Sequence, residues 1–265
     1  MTHQGEAMYP TDVTDAQWEL LQRLIPPQTG RGRRRRIDLR RIVNGLFYLD
    51  RTGCPWRMLP KEYGPWTTVR YYFDKWTTDG TFQRMNAALR EQVRVQAGRD
   101  PQPSGAILDS QTAKTTQVGG ERGYDGGKKL WGRKRHILVD TMGNLLGIKV
   151  QPADVSDREG ARLMLREVGA LFPRLRQLWA DGGYAGPVVD WIREQFGWTV
   201  EIVNKVVDQV GFVPLPRRWV VERSFAWYGR YRRLAKDYEF WGTSTESLVY
   251  IASIHLMLKR LTVTV

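Results

Sequence analysis

Carboxylates at the ends of predicted strands are the residues of this chain best suited to chemistry. Asp109 follows the apolar run Ala106–Leu108 and Asp181 follows Leu175–Ala180, so each is predicted to end a buried strand. Ligands of open α/β sheets gather where strands end. If the two strands are neighbours, the carboxylates repel each other, and a divalent cation relieves the repulsion. For either residue alone, the alternative is an ordinary turn acid.

Glu222 supplies a third carboxylate from a helix predicted over 216–236. On a helical wheel, Arg218, Ala226 and Gly229 lie on the same face as Glu222. Oxygen ligands without histidine or thiolate suit Mg²⁺ or Mn²⁺. Two such ions about 4 Å apart can activate an attacking oxygen and stabilise a leaving one on a phosphodiester. The competing interpretation is an exposed basic helix with an ordinary Arg218–Glu222 pair.

The charge of the chain indicates a polyanionic partner. Its 265 residues include 41 Lys and Arg against 28 Asp and Glu, a formal net charge of +13. The basic residues cluster in Arg31–Arg36, Lys128–Arg135 and Arg217–Arg233. Clusters of this kind are typical of surfaces that bind nucleic acid, although a generally basic protein is the alternative.

The composition also excludes several classes of protein. Cys54 is the only cysteine, so neither an intrachain disulfide nor a cysteine metal cluster can form. The histidines, at positions 3, 136 and 255, are too scattered to predict a zinc site. The longest apolar run, Leu248–Leu258, is much shorter than the ~20 residues of a membrane span. Since the N-terminus has no apolar signal segment, we expect a cytosolic protein without membrane association.

Residues 1–97 are predicted to form a small all-helical domain that binds DNA. Their helix-start signals are a capping box at Thr14, a cap at Asp38, a proline at Pro65 and a cap at Thr81. Small helical domains often place one helix in the major groove of DNA. Any small helical bundle would show the same pattern, so DNA binding is one interpretation among several.

A flexible basic arm is predicted between the first two helices. We expect it to follow DNA phosphates through Arg31, Arg33, Arg34, Arg35 and Arg36. The alternative for such a run is a solvated loop.

Residues 98–105 are predicted to be a linker, and residues 106–265 a mixed α/β sheet with helices on its faces. The predicted order is strand, hairpin, helix, strand, helix, strand, helix, helix. A long polar loop is expected over 111–130. Asp154 and Asp157 are interpreted as a turn residue and a helix cap rather than as a fourth metal ligand.

Five ordered segments of the chain match one known family. They are Trp18–Pro27 with Gly53–Arg57, Ile107–Thr112, Gly126–Asp140, Ala180–Tyr184 and Trp219–Trp227. In these segments the chain resembles the DDE transposases of bacterial insertion sequences, in the large group named after the fifth insertion sequence.

The resemblance implies a ribonuclease-H-like catalytic core in which Asp109, Asp181 and Glu222 are the catalytic residues. It implies that these acids bind two Mg²⁺ ions, for which Mn²⁺ can substitute. It further implies a homodimer or higher oligomer that binds double-stranded DNA at the element's terminal repeats, cleaves it, and joins the 3′-OH ends to target DNA. A metal-dependent nuclease without strand transfer and a non-catalytic DNA-binding protein are the alternatives.

The surroundings of the third acid depart from the pattern of related transposases, which often carry Tyr, Arg, Glu and Lys at fixed spacing. Here Arg218 and Glu222 match, whereas Leu215 and Gly229 stand at the Tyr and Lys positions. Arg218 is expected to contact phosphate, and Arg230 is the candidate to replace the missing Lys. The expected DNA contacts of residues 106–265 are Lys128, Lys129, Arg133, Lys134, Arg135, Arg218, Arg223 and Arg230.

Overall fold

The structure, a computed structural model, describes residues 8–27, 37–203 and 217–262. The predicted N-terminal helices are present as α1 (Asp15–Gln22), α2 (Leu39–Thr52), α3 (Trp66–Thr78) and α4 (Thr81–Gln96). The predicted basic arm at 31–36 lies outside the described residues.

Local side-chain caps explain where α1 and α2 begin and end. Thr14 and Gln17 form the predicted capping box, in which each side chain accepts a hydrogen bond from the other residue's backbone N–H, at 3.2 and 3.1 Å. Asp38 caps α2 through its carboxylate. Gly53 ends that helix in the left-handed region at φ 73°, where glycine has no Cβ penalty.

The remainder of the described chain begins with four strands, after which helices and strands follow in turn and two helices close it. Its strands are β1 (Gly105–Lys114), β2 (Gly123–Asp125), β3 (Leu130–Asp140), β4 (Leu145–Pro152), β5 (Gln177–Ala180) and β6 (Thr199–Ile202). Its helices are α5 (Asp157–Val168), α6 (Pro187–Phe196), α7 (Trp219–Tyr228) and α8 (Gly242–Thr262). Among the described residues, no helix is long and apolar enough to cross a membrane.

Strand β3 organises the antiparallel half of the sheet. It pairs antiparallel with β1 along one side and with β4 and β2 along the other. Strand β5 then pairs parallel with β1, and β6 pairs parallel with β5. Apart from the short β2, the strands therefore follow the order β4-β3-β1-β5-β6, with β3 antiparallel to the others. This confirms the predicted ribonuclease-H-like mixed sheet with a helical N-terminal region.

Strand β1 is longer than predicted. It continues past Asp109 because β3 pairs with it as far as Lys114, which stands opposite Gly132. The parallel pairing with β5 reaches only Ile107, opposite Trp179. Asp109 therefore lies within its strand rather than at the end, just beyond the point where the pairing with β5 stops.

Predicted boundaries shift at three further places. The polar loop expected over 111–130 is shorter, because its first residues belong to β1 and β2 lies inside it. Gly80 rather than Thr81 takes the cap position of α4. Ser156 rather than Asp157 caps α5 through its side chain, so Asp157 is the first helical residue.

Helix α7 covers only part of the helix predicted over 216–236. It ends at Tyr228, and a short 3-10 turn follows at Arg232–Leu234. Arg233 in this turn is buried and pairs with buried Glu239 at 2.6 Å. The turn also packs against α2. Tertiary contacts thus override a segment whose local sequence favours one continuous helix.

Two hydrophobic cores cover the two faces of the sheet. Side chains alternate along β1, so Ile107 packs into the first core and Leu108 into the second. The first core contains residues of α1 to α4, α7 and α8, among them Phe47 and Leu258, and the second lies under α5 and α6. The first core therefore contains residues from both sides of the predicted linker at 98–105. The division into domains 1–97 and 106–265 stays a prediction.

Candidate active site

Two strands of the sheet, β1 and β5, and the covering helix α7 bring the predicted acids together. Asp109 lies on β1 on the same face as Ile107, and Asp181 follows β5 directly. Glu222 lies in the first turn of α7, which packs against β1 and β3. The two aspartates come from adjacent parallel strands, and the glutamate approaches from the helix above them.

A single arginine marks the point on which the acids converge. Arg218 Nη2 lies 3.8 Å from Asp109 Oδ2, 3.9 Å from Asp181 Oδ2 and 3.7 Å from Glu222 Oε1. The Arg218 side chain is only 13% exposed. One guanidinium thus stands among three carboxylates, and the cluster keeps an excess of negative charge.

Backbone amides orient the two aspartates. Ser110 N donates a hydrogen bond to Asp109 Oδ1 at 2.7 Å, and Gly183 N donates one to Asp181 Oδ1 at 2.9 Å. The Oδ2 atom of each aspartate is the one that approaches Arg218. Each carboxylate therefore has one oxygen tied to the backbone and the other turned toward the common centre.

The surroundings of Asp109 favour a bound cation. The pKa of the Asp109 carboxyl is raised to about 6, mainly by burial; the nearby Asp181 and Glu222 carboxylates contribute to the rise, and the Ser110 N–H and Arg218 oppose it. A buried carboxylate with acidic neighbours gains from positive charge placed beside it. Arg218 supplies part of that charge.

The donor set fits a hard divalent ion, although the side chains as they stand do not form a closed cage. Carboxylate oxygens suit Mg²⁺ and Mn²⁺. Over the described ranges, no group of three or more His, Cys, Asp or Glu side chains is close enough to hold a metal ion. The acids converge on the Arg218 guanidinium, so coordination would require that group to leave the centre and the carboxylates to draw together.

Three basic residues predicted to contact DNA are buried. Arg133 donates to the carbonyls of Glu239 and Phe240 at 2.7 and 2.6 Å and pairs with Asp237. Arg135 donates to backbone carbonyls of the segment after α7, and Lys134 to that of Val155. These side chains correct the prediction of a DNA-facing basic strand, because their charges are satisfied inside the protein.

The other predicted DNA contacts differ in accessibility. Lys128, Lys129 and Arg230 are exposed. Arg223 is half-buried, with its guanidinium 4.5 Å from the ring centroids of both Trp219 and Trp227. The arginines expected at 31 and 33–36 lie outside the described residues, as does Leu215.

The turn between β2 and β3 presents an exposed aromatic and basic surface. Tyr124 and Trp131 are 44% and 58% exposed, and their rings pack in a tilted arrangement with centroids 5.6 Å apart. The exposed Lys128 and Lys129 lie in the turn between these strands. Asp125 orders the turn by accepting a hydrogen bond from Lys128 N at 2.9 Å.

Sequence reasoning missed the layer beneath the aspartates. Ser110 Oγ donates to Asp157 Oδ1 at 2.9 Å, and Asp157 pairs with Lys134 Nζ at 3.2 Å. Residues 110 and 157 are far apart in the chain and meet only because α5 packs on this face of the sheet. The alternation of β1 and the position of Asp157 at a helix start were the available signals, and neither paired the two residues.

The chain is distantly similar to a known sequence and to two solved structures. The uncharacterized protein y4sN of Sinorhizobium fredii (strain NBRC 101917 / NGR234) is 27% identical over 84 residues, which are 32% of this chain and 67% of that protein. The crystal structure of the Mos1 mariner paired end complex with Mn shares 11% identity over 92% of this chain and 84% of that chain, with a TM-score of 0.27. A pre-cleavage Mos1 transpososome shares 10% identity over 89% and 80%, also with a TM-score of 0.27. Superpositions this loose carry no argument about the site.

Two family models match the chain itself. Residues 13–86 match the family described as "Putative transposase of IS4/5 family". Residues 100–257, more than half of the chain, match "Transposase DDE domain". The second match contains all three converging acids, and together the matches confirm the family predicted from the sequence. The chain belongs to the DDE transposases of the IS4/5 type.

Proposed function

We propose that this protein is a DNA transposase that uses Asp109, Asp181 and Glu222 to cleave the ends of an insertion sequence and join them to target DNA. The observation that carries the proposal is the convergence of the three carboxylates on one point above β1 and β5. Membership of the transposase family supplies the substrate class.

The three acids would hold two Mg²⁺ or Mn²⁺ ions. When bound, such ions would supply an activated oxygen nucleophile and stabilise the leaving oxygen. The protein's own part is positioning and charge neutralisation, since phosphodiester chemistry needs little covalent help from side chains. Arg218, released from the carboxylates, would contact a phosphate of the DNA, and a guanidinium can do so with two parallel hydrogen bonds.

The DNA would approach over the exposed basic residues. Arg230 lies shortly after α7, and Lys128 and Lys129 lie on the β2–β3 turn beside exposed aromatic rings. The basic arm and the N-terminal helices are proposed to bind the terminal repeats. Because two ends must be joined, the active assembly is proposed to be a dimer or higher oligomer on DNA, in the cytosol.

The test is cleavage of a DNA fragment that carries the element's ends, by the full-length protein with Mg²⁺. Asp109→Asn and Glu222→Gln should lose cleavage to background and keep end binding, because the carboxylates act on the reaction. Glu194→Gln, which changes an exposed acid on α6, should cleave like wild type. Cleavage by Asp109→Asn would overturn the proposal, and activity that survives EDTA would favour a protein without metal catalysis.

A second assay separates a transposase from a nuclease with the same site. Donor ends and a target plasmid are incubated together, and the products are sequenced. Products joined through the 3′-OH of the donor are expected. Cleaved donor ends without any joined product would instead assign the nuclease.

A further inference from the structure

A third aspartate lies on the other face of the sheet from the three acids, beneath the site. Asp157 is the first residue of α5, and its cap role is filled by Ser156. The Asp157 side chain is 30% exposed and pairs with Lys134 Nζ at 3.2 Å. Lys134 Nζ also donates to the carbonyl of Val155 at 2.9 Å, which fixes the ammonium beside the carboxylate.

One contact of Asp157 leads to Asp109. Ser110 donates through its Oγ to Asp157 Oδ1 at 2.9 Å and through its N–H to Asp109 Oδ1 at 2.7 Å. The side chains of Asp109 and Ser110 point to opposite faces because they are neighbours on a strand. By binding the Ser110 side chain on one face of the sheet, Asp157 therefore also holds the Ser110 peptide, whose N–H orients Asp109 on the other face.

The position of Asp157 beside Gly183 leads to Asp181. A Cβ placed on Gly183 would lie 3.0 Å from Asp157 Oδ2 and 3.0 Å from Asp181 Oδ1. The two carboxylates thus flank Gly183, whose N–H donates to Asp181 Oδ1 at 2.9 Å. Asp157 limits where this glycine can move, and a larger residue would push into both acids.

The neighbouring polar groups of this layer are uncharged near neutral pH. His136 Nδ1 and the Tyr184 hydroxyl lie 3.3 Å apart and are buried. Burial lowers the pKa of His136 to about 4 and raises the pKa of Tyr184. Lys134 is the cation paired with Asp157, and this pair of opposite charges lies under both aspartates.

We propose that Asp157 is a positioning residue that sets the separation of the Asp109 and Asp181 carboxylates and so the affinity of the site for divalent cations. This inference rests on the proposed function, because it assumes that those carboxylates bind metal. Asp157 itself acts only through Ser110 and Gly183. Groups that orient metal ligands in this way typically change metal affinity 10- to 100-fold when removed.

The test is Mn²⁺ binding to the full-length protein without DNA, measured by calorimetry. Asp157→Asn and Ser110→Ala should each bind Mn²⁺ about tenfold more weakly than wild type. The double variant should bind Mn²⁺ no more weakly than Asp157→Asn alone, since the Ser110 link is one of the two through which Asp157 acts. Glu159→Gln is the matched control: Glu159 lies in the same helical turn and its ion pair is with Arg162 at 3.8 Å, so its Mn²⁺ affinity should be unchanged.

The outcomes separate the inference from the proposed function. Wild-type binding that depends on Asp109 but is unchanged in Asp157→Asn overturns the inference alone. A wild type that binds no Mn²⁺ overturns both. Thermal melts accompany each variant, and if Asp157→Asn does not fold, Ser110→Ala decides, because it removes only a hydroxyl and leaves the Lys134 pair in place. Equal weakening in Glu159→Gln would assign the effect to the charge of the helix start and would also overturn the inference.

Discussion

Arg218 is the residue on which the charge balance of the site depends. Its Nη2 lies between 3.7 and 3.9 Å from an oxygen of each acid. Without it, three carboxylates, one of them only 13% exposed, would face each other without a cation. The guanidinium and a divalent ion thus compete for the same negative charge.

Replacing Arg218 should make the protein more dependent on metal. Arg218→Ala should lower the free energy of unfolding by only about 1 kcal/mol in EDTA, because the ion pairs are partly exposed. Mn²⁺ should then raise the melting temperature of the variant more than that of wild type, since a ligand stabilises the state that binds it. Melting curves with and without Mn²⁺ measure both effects.

Arg230→Ala is the control, because Arg230 is exposed and lies just after α7. Its melting curves should follow those of wild type in both buffers. Equal Mn²⁺ shifts in wild type and Arg218→Ala would contradict the competition between guanidinium and metal.

At the residue scale, the three acids were predictable and the partners of many cations were not. Strand alternation and the order of elements pointed to Asp109, Asp181 and Glu222 before any distance was known. A run of basic residues does not show which of them turn inward. Arg133 finds Asp237 and two carbonyls about 100 positions away, and no local pattern encodes such a contact.

The packing of α5 on the sheet depends on a glycine. A Cβ on Gly160 would lie 2.3 Å from two ring atoms of His136, which is fully buried. Gly160→Ala should therefore cost about 3 kcal/mol of folding free energy by overpacking. Urea unfolding measures the loss. Gly126→Ala, where a Cβ meets open space, should change stability little, and equal curves for the two variants would show that α5 can shift.

The contact between α8 and the edge strand β4 should make stability depend on pH. Glu246 Oε1 accepts a hydrogen bond from Val150 N at 2.9 Å, and burial raises the pKa of Glu246 from 4.5 to about 7. The folded state therefore binds this proton more tightly than the unfolded state. Stability from this group is greatest below pH 4.5 and falls as the pH rises to about 7.

Glu246→Gln should remove that pH dependence while keeping an oxygen acceptor for Val150 N. The variant should match wild type at low pH and exceed it by about 3 kcal/mol above neutrality. Unfolding in urea at a series of pH values gives the difference. Parallel curves for the two proteins across the series would contradict the raised pKa.

At the element scale, the caps of α1 and α2 were readable, the caps of α4 and α5 lie one residue before the predicted Thr81 and Asp157, and element length was not readable. Thr14, Asp38 and Gly53 act where the sequence indicated, since a cap depends on neighbours in the chain. Strand β1 is longer than predicted because β3 pairs with it. Helix α7 is shorter than predicted, and Arg233, which follows it, binds Glu239. Pairing partners distant in sequence decided both lengths.

At the scale of the whole molecule, α8 packs against both of the domains that the sequence predicts. Buried residues of α8 share one core with the N-terminal helices and with the sheet. His255 stacks on Phe47 at 4.5 Å between ring centroids. Asn86 of α4 donates to the carbonyl of Leu145 and accepts from Ser253. The predicted linker is a change in local composition, whereas the core is continuous across it.

The shared core predicts that residues 1–97 do not fold alone. Cut from the rest, the fragment would expose the apolar face that meets α8 and would lose the buried partner of Arg94, which pairs with Asp140 at 2.8 Å. Circular dichroism of the fragment should show weak helicity and no cooperative melt, and co-expression with residues 98–265 should restore a soluble, cooperatively melting complex.

A cooperative melt of the isolated fragment would instead support an autonomous DNA-binding domain on a linker. If the two parts fold as one, DNA bound by the N-terminal helices as proposed would be held in a set position relative to the three acids, and recognition of an element end would itself place the scissile phosphate.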